Sequence, residues 1–346
     1  MQSADDRRIV HDVAAAVGLA EGEPGVRAVL AALVRLEPVS IRRLSRAAEL
    51  PVPIVAAVCG ELRKRSVVDE KRPARLTPHG RGVFSAGAIG LKRAAACPTC
   101  DGREIVVPDL LSGITREIAR LARDAPPPRL ELDQCHCTVE TKLRRVLALH
   151  EADALVGRRV LLLGDDDLIS LAIHSVVRRF GSSTTVARLA VVDVDADLLS
   201  FVRRGLASAP FPVTCTQHDL REPLPSALLR SFDTVVTDPP YTVPAARLFL
   251  SRAAEALAGA GANVFFSFGS RRPGASVEVQ QAICELGFLI KRLVRDFNDY
   301  VGAGILGGTS HLYHLAATDD LRPCVAGSFG APIYTSEAVS SRRVAG

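Results

Sequence analysis

The sequence predicts an α/β protein in which a small helical domain at the N-terminus precedes a doubly wound parallel sheet. Residues 25–65 contain three apolar segments with helical periodicity. From residue 157 onwards, segments typical of buried strands alternate with segments long enough to form helices. Strands connected by helices pair in parallel, and such sheets bind ligands at the carboxyl ends of their strands. We therefore expect the functional site in the C-terminal part of the chain.

The composition is that of a globular protein. Of the 346 residues, 48% are hydrophobic and 23% are charged, which disfavours a disordered chain. No apolar segment reaches the ~20 residues that span a bilayer, and residues 1–8 lack a signal-peptide pattern. We expect a soluble, cytoplasmic protein without a membrane partner. In such a protein, eight cysteines favour metal binding or buried thiols over disulfides.

Residues 1–96 are predicted to form the first domain. Apolar side chains recur at helical spacing over residues 25–36, 41–50 and 54–65, and a charged turn between two short strands follows. This order resembles the winged-helix domain. The segment carries 16 basic and 10 acidic side chains, an excess that is compatible with a nucleic-acid surface or with a solvated face. The N-terminal half of the third helix, where helix-turn-helix proteins contact bases, is apolar, so we expect packing onto another domain or subunit rather than DNA binding.

Two cysteine pairs lie in a predicted connecting segment, residues 97–150. Cys97 and Cys100 form a CxxC pair, and a second pair, Cys135 and Cys137, begins 35 positions after Cys100. Four thiolates can hold a structural zinc ion in tetrahedral geometry. This site is one interpretation of the spacing, and buried free thiols or a disulfide are the alternatives.

Residues 151–322 are predicted to form the catalytic domain, with a C-terminal tail at 323–346 that is either docked or disordered. The predicted strands comprise residues 159–164, 187–193, 213–219, 232–238, 262–268, 288–297 and 310–318. Their order resembles the Rossmann-like class I methyltransferase fold. In that fold, the acid that ends the second strand binds ribose hydroxyls and the acid after the third lies near adenine. The resemblance assigns these roles to Asp193 and to Asp219, which Leu220 follows.

Three adjacent carboxylates follow the first strand where such enzymes usually have a Gly-rich turn. The segment reads Gly164-Asp165-Asp166-Asp167. Exposed like charges repel by about 1 kcal/mol per pair, and a helix N-terminus gains enough from one acid. The triplet therefore predicts a cationic ligand. Decarboxylated S-adenosylmethionine or a polyamine fits this better than S-adenosylmethionine, which carries its own carboxylate.

The fourth strand ends in Asp238-Pro239-Pro240-Tyr241. This motif resembles that of amino-directed methyltransferases, in which the acid and a Pro carbonyl hold an amine nitrogen and the Tyr packs on the acceptor. Oxygen acceptors and an aromatic ring suit an amine or its cation. The motif therefore predicts transfer to nitrogen.

The Asp triplet and the Asp-Pro-Pro-Tyr motif together resemble those of the branched-chain polyamine synthases, the N4-bis(aminopropyl)spermidine synthases. Residues 297–300, Phe-Asn-Asp-Tyr, are also similar. The resemblance implies an enzyme that transfers the aminopropyl group of decarboxylated S-adenosylmethionine to spermidine and releases methylthioadenosine. It also implies a homodimer.

The resemblance further implies roles for individual residues. One of the acids would take the proton of the attacking amine, with Asp166, Asp167 and Asp238 as catalytic candidates. The polyamine would contact Asp167, Asp238, Pro239 and Tyr241. The donor would contact Gly164, Asp165, Asp193, Asp219 and Leu220.

Two functions from other classes remain open at this point. One is an S-adenosylmethionine-dependent amino-methyltransferase that acts on nucleic acid or a small amine. The Asp triplet argues against it because three carboxylates repel phosphates and the donor carboxylate. The other is a regulator that senses a polyamine or nucleoside and binds DNA through the first domain, with salt-dependent affinity.

Overall fold

The computed structural model describes residues 4–84, 97, 99–100, 102–181, 185–269, 273–302 and 308–337. The chain divides into two compact units. The first comprises residues 1–102, 270–272 and 302–309, and the second comprises residues 103–269, 273–301 and 310–346. Within the described residues, no helix is both long and apolar enough to cross a membrane.

The first unit is built from helices. They are α1 (Ala4–Val17), α2 (Gly22–Leu36), α3 (Ile41–Ala48), α4 (Val52–Lys64) and α5 (Pro78–Phe84). Ser40 caps α3, because its side chain accepts the Arg43 N–H at 3.2 Å. Antiparallel bridges join Val39 to Ala74 and Val68 to Leu76. The three predicted helices are present as α2 to α4, whereas the sequence analysis did not predict α1.

Among the residues that the structure describes, the second unit contains six α-helices and the seven strands of one sheet. The helices are α6 (Ser112–Arg123), α7 (Val139–Glu151), α8 (Ile169–Phe180), α9 (Ala196–Gly205), α10 (Val243–Ala256) and α11 (Pro273–Glu285). The strands are β1 (Arg159–Leu163), β2 (Arg188–Asp193), β3 (Val213–Gln217), β4 (Thr234–Thr237), β5 (Asn263–Phe268), β6 (Phe288–Asp299) and β7 (Thr309–Ala317). Their order across the sheet is β3-β2-β1-β4-β5-β7-β6.

The sheet is mixed, which corrects the prediction of a parallel sheet. Strands β1 to β5 pair in parallel, but β7 pairs with β5 in antiparallel register. The physical reason lies in the connection between β6 and β7. A parallel pair needs a crossover of a dozen or more residues, and only residues 300–308 separate these two strands.

The centre of the sheet forms the core of the second unit. The side chains of β1 from Val160 to Leu163 are at most 1% exposed. Alternate side chains of a strand point to opposite faces, so both faces of β1 are covered. Burial of one such side chain contributes about 1.5–3 kcal/mol. Because β1 lies between β2 and β4, this core holds the carboxyl ends of those three strands together.

Candidate active site

A crevice opens at the carboxyl ends of β1, β2 and β4. This is where an open α/β sheet changes the direction of its strand order, the usual ligand position in such folds. The predicted residues that line it are Gly164, Asp166, Asp193, Asp219, Leu220 and Asp238. Further lining residues include Gln134, His218, Pro240, Ile333 and Tyr334.

The three carboxylates of the triplet have different surroundings, although they are adjacent in sequence. Gly164, with φ +77°, turns the chain at the end of β1, a conformation that favours glycine. Asp165 is buried and accepts hydrogen bonds from the backbone N–H (3.2 Å) and the hydroxyl of Ser170. Its side chain therefore stabilises the first turn of α8. The Asp165 side chain does not line the crevice. This placement differs from the predicted contact between Asp165 and the donor.

Burial raises the pKa of Asp165 to about 7, against the opposing effect of the Ser170 hydrogen bonds. Between about pH 4 and 7 the folded protein then retains a proton that the unfolded chain loses. Stability from this group therefore falls as the pH rises through that range. We expect the stability of the wild type relative to Asp165→Asn to fall by about 1.4 kcal/mol per pH unit there. Urea denaturation of both proteins at pH 4.5, 5.5, 6.5 and 7.5 measures this difference in the free energy of unfolding.

Ser170→Ala provides the matched comparison for this prediction. It removes a hydroxyl that lowers the Asp165 pKa, so the pKa of Asp165 should rise further in this variant. The fall in stability with rising pH should therefore extend to higher pH than in wild type. If the difference in the free energy of unfolding between wild type and Asp165→Asn is the same at all four pH values, Asp165 is not a buried, protonated carboxyl.

Asp167 forms a buried ion pair on the other side of the triplet. Its Oδ2 lies 2.7 Å from the Nη1 of Arg145, and its Oδ1 accepts the Cys137 N–H at 2.5 Å. Burial raises the pKa of Asp167, but Arg145 and Lys142 outweigh burial, so the pKa lies below its usual value. Asp167 is therefore a charged structural partner of α7 and does not line the crevice, in contrast to its predicted contact with the polyamine.

Asp166 is the member of the triplet that faces the crevice. Its Oδ2 accepts the Cys135 N–H at 3.1 Å. Within the described ranges, no Lys or Arg side chain forms an ion pair with it, and its charged neighbours are Asp167, Asp238 and Asp193. Burial and these carboxylates raise the pKa of Asp166 well above its usual range. This carboxyl is therefore suited to bind a cation or to take a proton.

Asp238 ends β4 and is held by two donors. Its Oδ2 accepts from the Nη2 of Arg145 at 2.7 Å and from the Tyr300 hydroxyl at 2.5 Å. Burial raises the pKa of Asp238 to about 6, although Arg145 opposes this. The Tyr241 hydroxyl donates to that of Tyr300 at 2.8 Å. Asp238 therefore has fewer free acceptor positions for an amine than Asp166 has.

Arg145 organises this network, and the sequence analysis did not predict it. Its guanidinium contacts Asp167, Asp238 and Tyr300, and its Nε donates to the Asn298 Oδ1 at 2.8 Å. The side chain is 3% exposed. A signal was present in the sequence, because Lys142 and Arg145 occupy core-facing positions of an amphipathic helix, where cations are rare unless they are paired.

The predicted nucleoside side of the crevice contains Asp193 and Asp219. Asp193 ends β2, and its carboxylate accepts the backbone N–H groups of Asp165 (3.0 Å) and Asp195 (2.9 Å). Asp219 is paired with Arg221, whose Nη2 lies 2.7 Å from its Oδ2. Burial raises the pKa of Asp219, but the hydrogen bonds and charge of Arg221 lower it by more. The pKa of Asp219 therefore lies below its usual value. Leu220 is buried, and its carbonyl accepts from Arg252 at 2.9 Å.

The described part of the predicted tail, residues 323–337, packs over this side of the crevice. The Ile333 carbonyl accepts from the Thr242 hydroxyl at 2.8 Å, and the Thr335 N–H donates to Asp133 at 2.7 Å. Ile333 and Tyr334 line the crevice. This part of the tail is therefore docked, and residues 338–346 lie outside the described residues.

The zinc prediction is not supported by the cysteine environments. Among the described residues, no group of three or more His, Cys, Asp or Glu side chains is placed to hold a metal ion. Cys137 is buried, and the Nζ of Lys142 lies 3.6 Å from its Sγ.

Comparison with known proteins identifies relatives of this chain. A family model described as the C-terminal domain of branched-chain polyamine synthase A matches residues 113–321. N(4)-bis(aminopropyl)spermidine synthase of Thermococcus kodakarensis is 32% identical over 272 residues, 77% of this chain and 75% of that protein. An uncharacterized protein of Methanocaldococcus jannaschii is 32% identical over 310 residues, 89% of this chain and 77% of that protein.

A solved structure shares the fold. The branched-chain polyamine synthase from Thermus thermophilus, in complex with N4-aminopropylspermidine and 5′-methylthioadenosine, matches with a TM-score of 0.73 at 24% identity. The match covers 95% of this chain and 98% of that chain. Because the family model covers more than half of the chain, and a curated relative is 32% identical over 77% of it, the chain belongs to the branched-chain polyamine synthase family.

Proposed function

We propose that this protein is an aminopropyltransferase. It moves the aminopropyl group of decarboxylated S-adenosylmethionine to an amine of a polyamine such as spermidine, producing a branched polyamine and methylthioadenosine. The observation that carries the proposal is Asp166, a carboxylate without an ion-pair partner among the described residues, in a crevice at the switch point of the sheet. The name of the Thermococcus kodakarensis relative and the ligands of the Thermus thermophilus structure support it.

The two ends of the crevice suit the two substrates. Asp193 and Asp219, with Gly164 and Leu220 beside them, bind the nucleoside of the donor in this proposal. Asp166 and Asp238 face the amine, with Pro239 and Tyr241 next to Asp238. The ring of Tyr241 packs against Phe268, with 5.3 Å between centroids, which keeps it beside the amine position.

The reaction is a displacement at the carbon bound to the sulfonium. The lone pair of the amine nitrogen forms the new N–C bond, and the electrons of the C–S bond remain on sulfur, which becomes the neutral thioether of methylthioadenosine. The alkylated nitrogen loses one proton, which Asp166 accepts in this proposal. Correct placement of the two reactants can supply about 7–11 kcal/mol of the barrier reduction.

The raised pKa of Asp166 is what makes it a useful base. An Asp of ordinary pKa, about 4, differs from an alkylammonium of pKa about 10 by six units, or about 8 kcal/mol. Burial and the neighbouring carboxylates of Asp166 reduce that difference. The nearby sulfonium lowers the pKa of the amine and reduces the difference from the other side.

The same carboxylates select the decarboxylated donor. An ionised Asp166 would repel the carboxylate of S-adenosylmethionine by about 4 kcal/mol at a separation of about 4 Å and an effective dielectric constant of 20. The ammonium of the decarboxylated donor is attracted instead. We therefore expect calorimetry to show affinity for decarboxylated S-adenosylmethionine at least about 100-fold above that for S-adenosylmethionine.

Product analysis completes this test. Incubation with decarboxylated S-adenosylmethionine and spermidine should release methylthioadenosine and aminopropylated spermidine in equal amounts, as measured by mass spectrometry. Preferential binding of S-adenosylmethionine, together with methylated product, would contradict the proposal and favour an amino-methyltransferase.

The proposal extends to the first unit and to the assembly. We propose that α2, α3, α4 and the bridge between Val68 and Leu76 form a winged-helix domain, within the predicted boundaries of 1–96, and that the chain is a homodimer. The N-terminal half of α4 supports packing against a second copy, because Pro53, Ala56 and Ala57 are exposed there. The connecting segment, the catalytic domain and the cytoplasmic location stay predictions of the sequence.

A further inference from the structure

The Cys135-His136-Cys137 segment contacts the Asp triplet through its backbone. The N–H of Cys135 donates to the Oδ2 of Asp166 at 3.1 Å, and the N–H of Cys137 donates to the Oδ1 of Asp167 at 2.5 Å. Alternate N–H groups of the segment thus reach two adjacent carboxylates of the loop between β1 and α8. The segment therefore orients Asp166 and Asp167 through its backbone N–H groups, and the cysteine thiols take no part in these two bonds.

The His136 side chain contacts the same loop. Its Nδ1 lies 2.6 Å from the Asp166 carbonyl oxygen, and its Nε2 lies 3.1 Å from the Pro126 carbonyl oxygen. A carbonyl oxygen only accepts hydrogen bonds, so each ring nitrogen bonds its carbonyl only when it carries a proton. We assign the Nδ1–H tautomer, in which the shorter contact is the hydrogen bond to Asp166. The backbone of Asp166 is thus held by the His136 ring, and its carboxylate is held by the Cys135 N–H.

The other edge of the segment is also anchored. The His136 carbonyl accepts the Val301 N–H at 2.9 Å, and Cys137 forms an antiparallel bridge with Tyr300. Tyr300 donates to Asp238, another carboxylate that lines the crevice. The segment therefore connects the supports of Asp166 and Asp238.

The orientation of Asp166 needs such support for a physical reason. Its nearest charged neighbours are carboxylates, which repel it. It lies in a loop of five residues between β1 and α8, where no strand or helix hydrogen bonds hold it. A displacement of a reacting group by about 1 Å can lower a rate about 100-fold.

We propose that His136 is a positioning residue that holds the Asp166 carboxylate toward the acceptor amine through the bond from Nδ1–H to the Asp166 carbonyl. This inference rests on the proposed function, since it assigns the support of the proposed proton acceptor. It gives the His of the Cys-His-Cys motif a role that the zinc interpretation did not include.

Three substitutions at this position separate the two ring nitrogens. The Nδ2 of an asparagine can replace the histidine Nδ1, and the Nε2 of a glutamine can replace the histidine Nε2. We expect His136→Ala to lower kcat by about 10- to 100-fold with KM for the donor within about twofold of wild type. His136→Asn should restore kcat to within about threefold of wild type, and His136→Gln should stay close to the Ala variant.

His150→Asn is the matched control, because His150 is an exposed residue at the end of α7, outside the crevice. It should keep the wild-type kcat, and thermal melting should show that all four variants are folded. If the wild type turns over, three outcomes would contradict this inference alone. They are a kcat of His136→Ala equal to that of wild type, equal rescue of kcat by Asn and Gln, and a loss confined to KM. A wild type that releases no methylthioadenosine would contradict the proposed function as well.

Discussion

Asp166→Asn is expected to lower kcat by about two to four orders of magnitude, the usual contribution of general acid–base catalysis. The asparagine keeps the size of the side chain and an oxygen that can accept the Cys135 N–H, but it cannot take a proton. Binding of methylthioadenosine should stay within a few fold of wild type, because that nucleoside contacts the Asp193 side of the crevice in the proposed function. Steady-state kinetics and calorimetry measure the two effects separately.

Asp165→Asn is the control for this prediction. It places the same substitution on the adjacent residue, whose carboxyl faces Ser170 and not the crevice. Its kcat should stay within about threefold of wild type. If Asp166→Asn keeps its turnover while Asp238→Asn loses it, the proton acceptor is Asp238 and the assignment to Asp166 is wrong.

Arg145→Met is expected to have the largest effect on stability. Removing the guanidinium leaves Asp167 and Asp238 buried without the cation that both contact. The loss of one partner from a buried ion pair typically costs about 3–5 kcal/mol. Turnover should fall as well, because Asp238 and Tyr300 lose a shared donor. Urea denaturation followed by far-UV circular dichroism suits this chain, which contains no Trp.

Two further variants separate the charge effect from a general loss of packing. Arg178→Met removes an arginine whose side chain is 54% exposed and paired with Glu117, so it should cost less than about 1 kcal/mol. Adding Asp167→Asn to Arg145→Met removes one of the uncompensated charges and should recover part of the lost stability. If the double variant is less stable than Arg145→Met by the full effect of a single Asp167→Asn, Arg145 does not act through that charge.

Much of the catalytic fold could be predicted from the sequence. The strands β1, β2 and β4 are short apolar segments bounded by Gly or Asp, and such segments have few alternatives to a buried strand. The predicted positions of Gly164, Asp193 and Asp238 at one edge of the sheet followed from the parallel pairing of these strands, and all three line the crevice. The antiparallel β7 was missed because its pairing depends on the short connection to β6, not on the composition of either strand.

The roles within the triplet were decided by the tertiary structure. Asp165, Asp166 and Asp167 are the same residue type in consecutive positions, so local sequence cannot distinguish them. Their partners come from three places in the chain: Ser170 for Asp165, the 135–137 segment for Asp166, and Arg145 for Asp167. Two of these partners are more than 20 residues away, beyond the reach of helical or strand periodicity.

The sequence by itself therefore determined that carboxylates collect at the carboxyl ends of neighbouring parallel strands, because strand periodicity is a local property, and like-charge repulsion within the triplet predicted a cationic ligand for them. Only the tertiary structure decided which carboxylate keeps its charge through an ion pair, which is buried against a helix, and which faces the crevice. The reason is that burial and long-range contacts set the charge state of a carboxyl group, and both are properties of the folded chain.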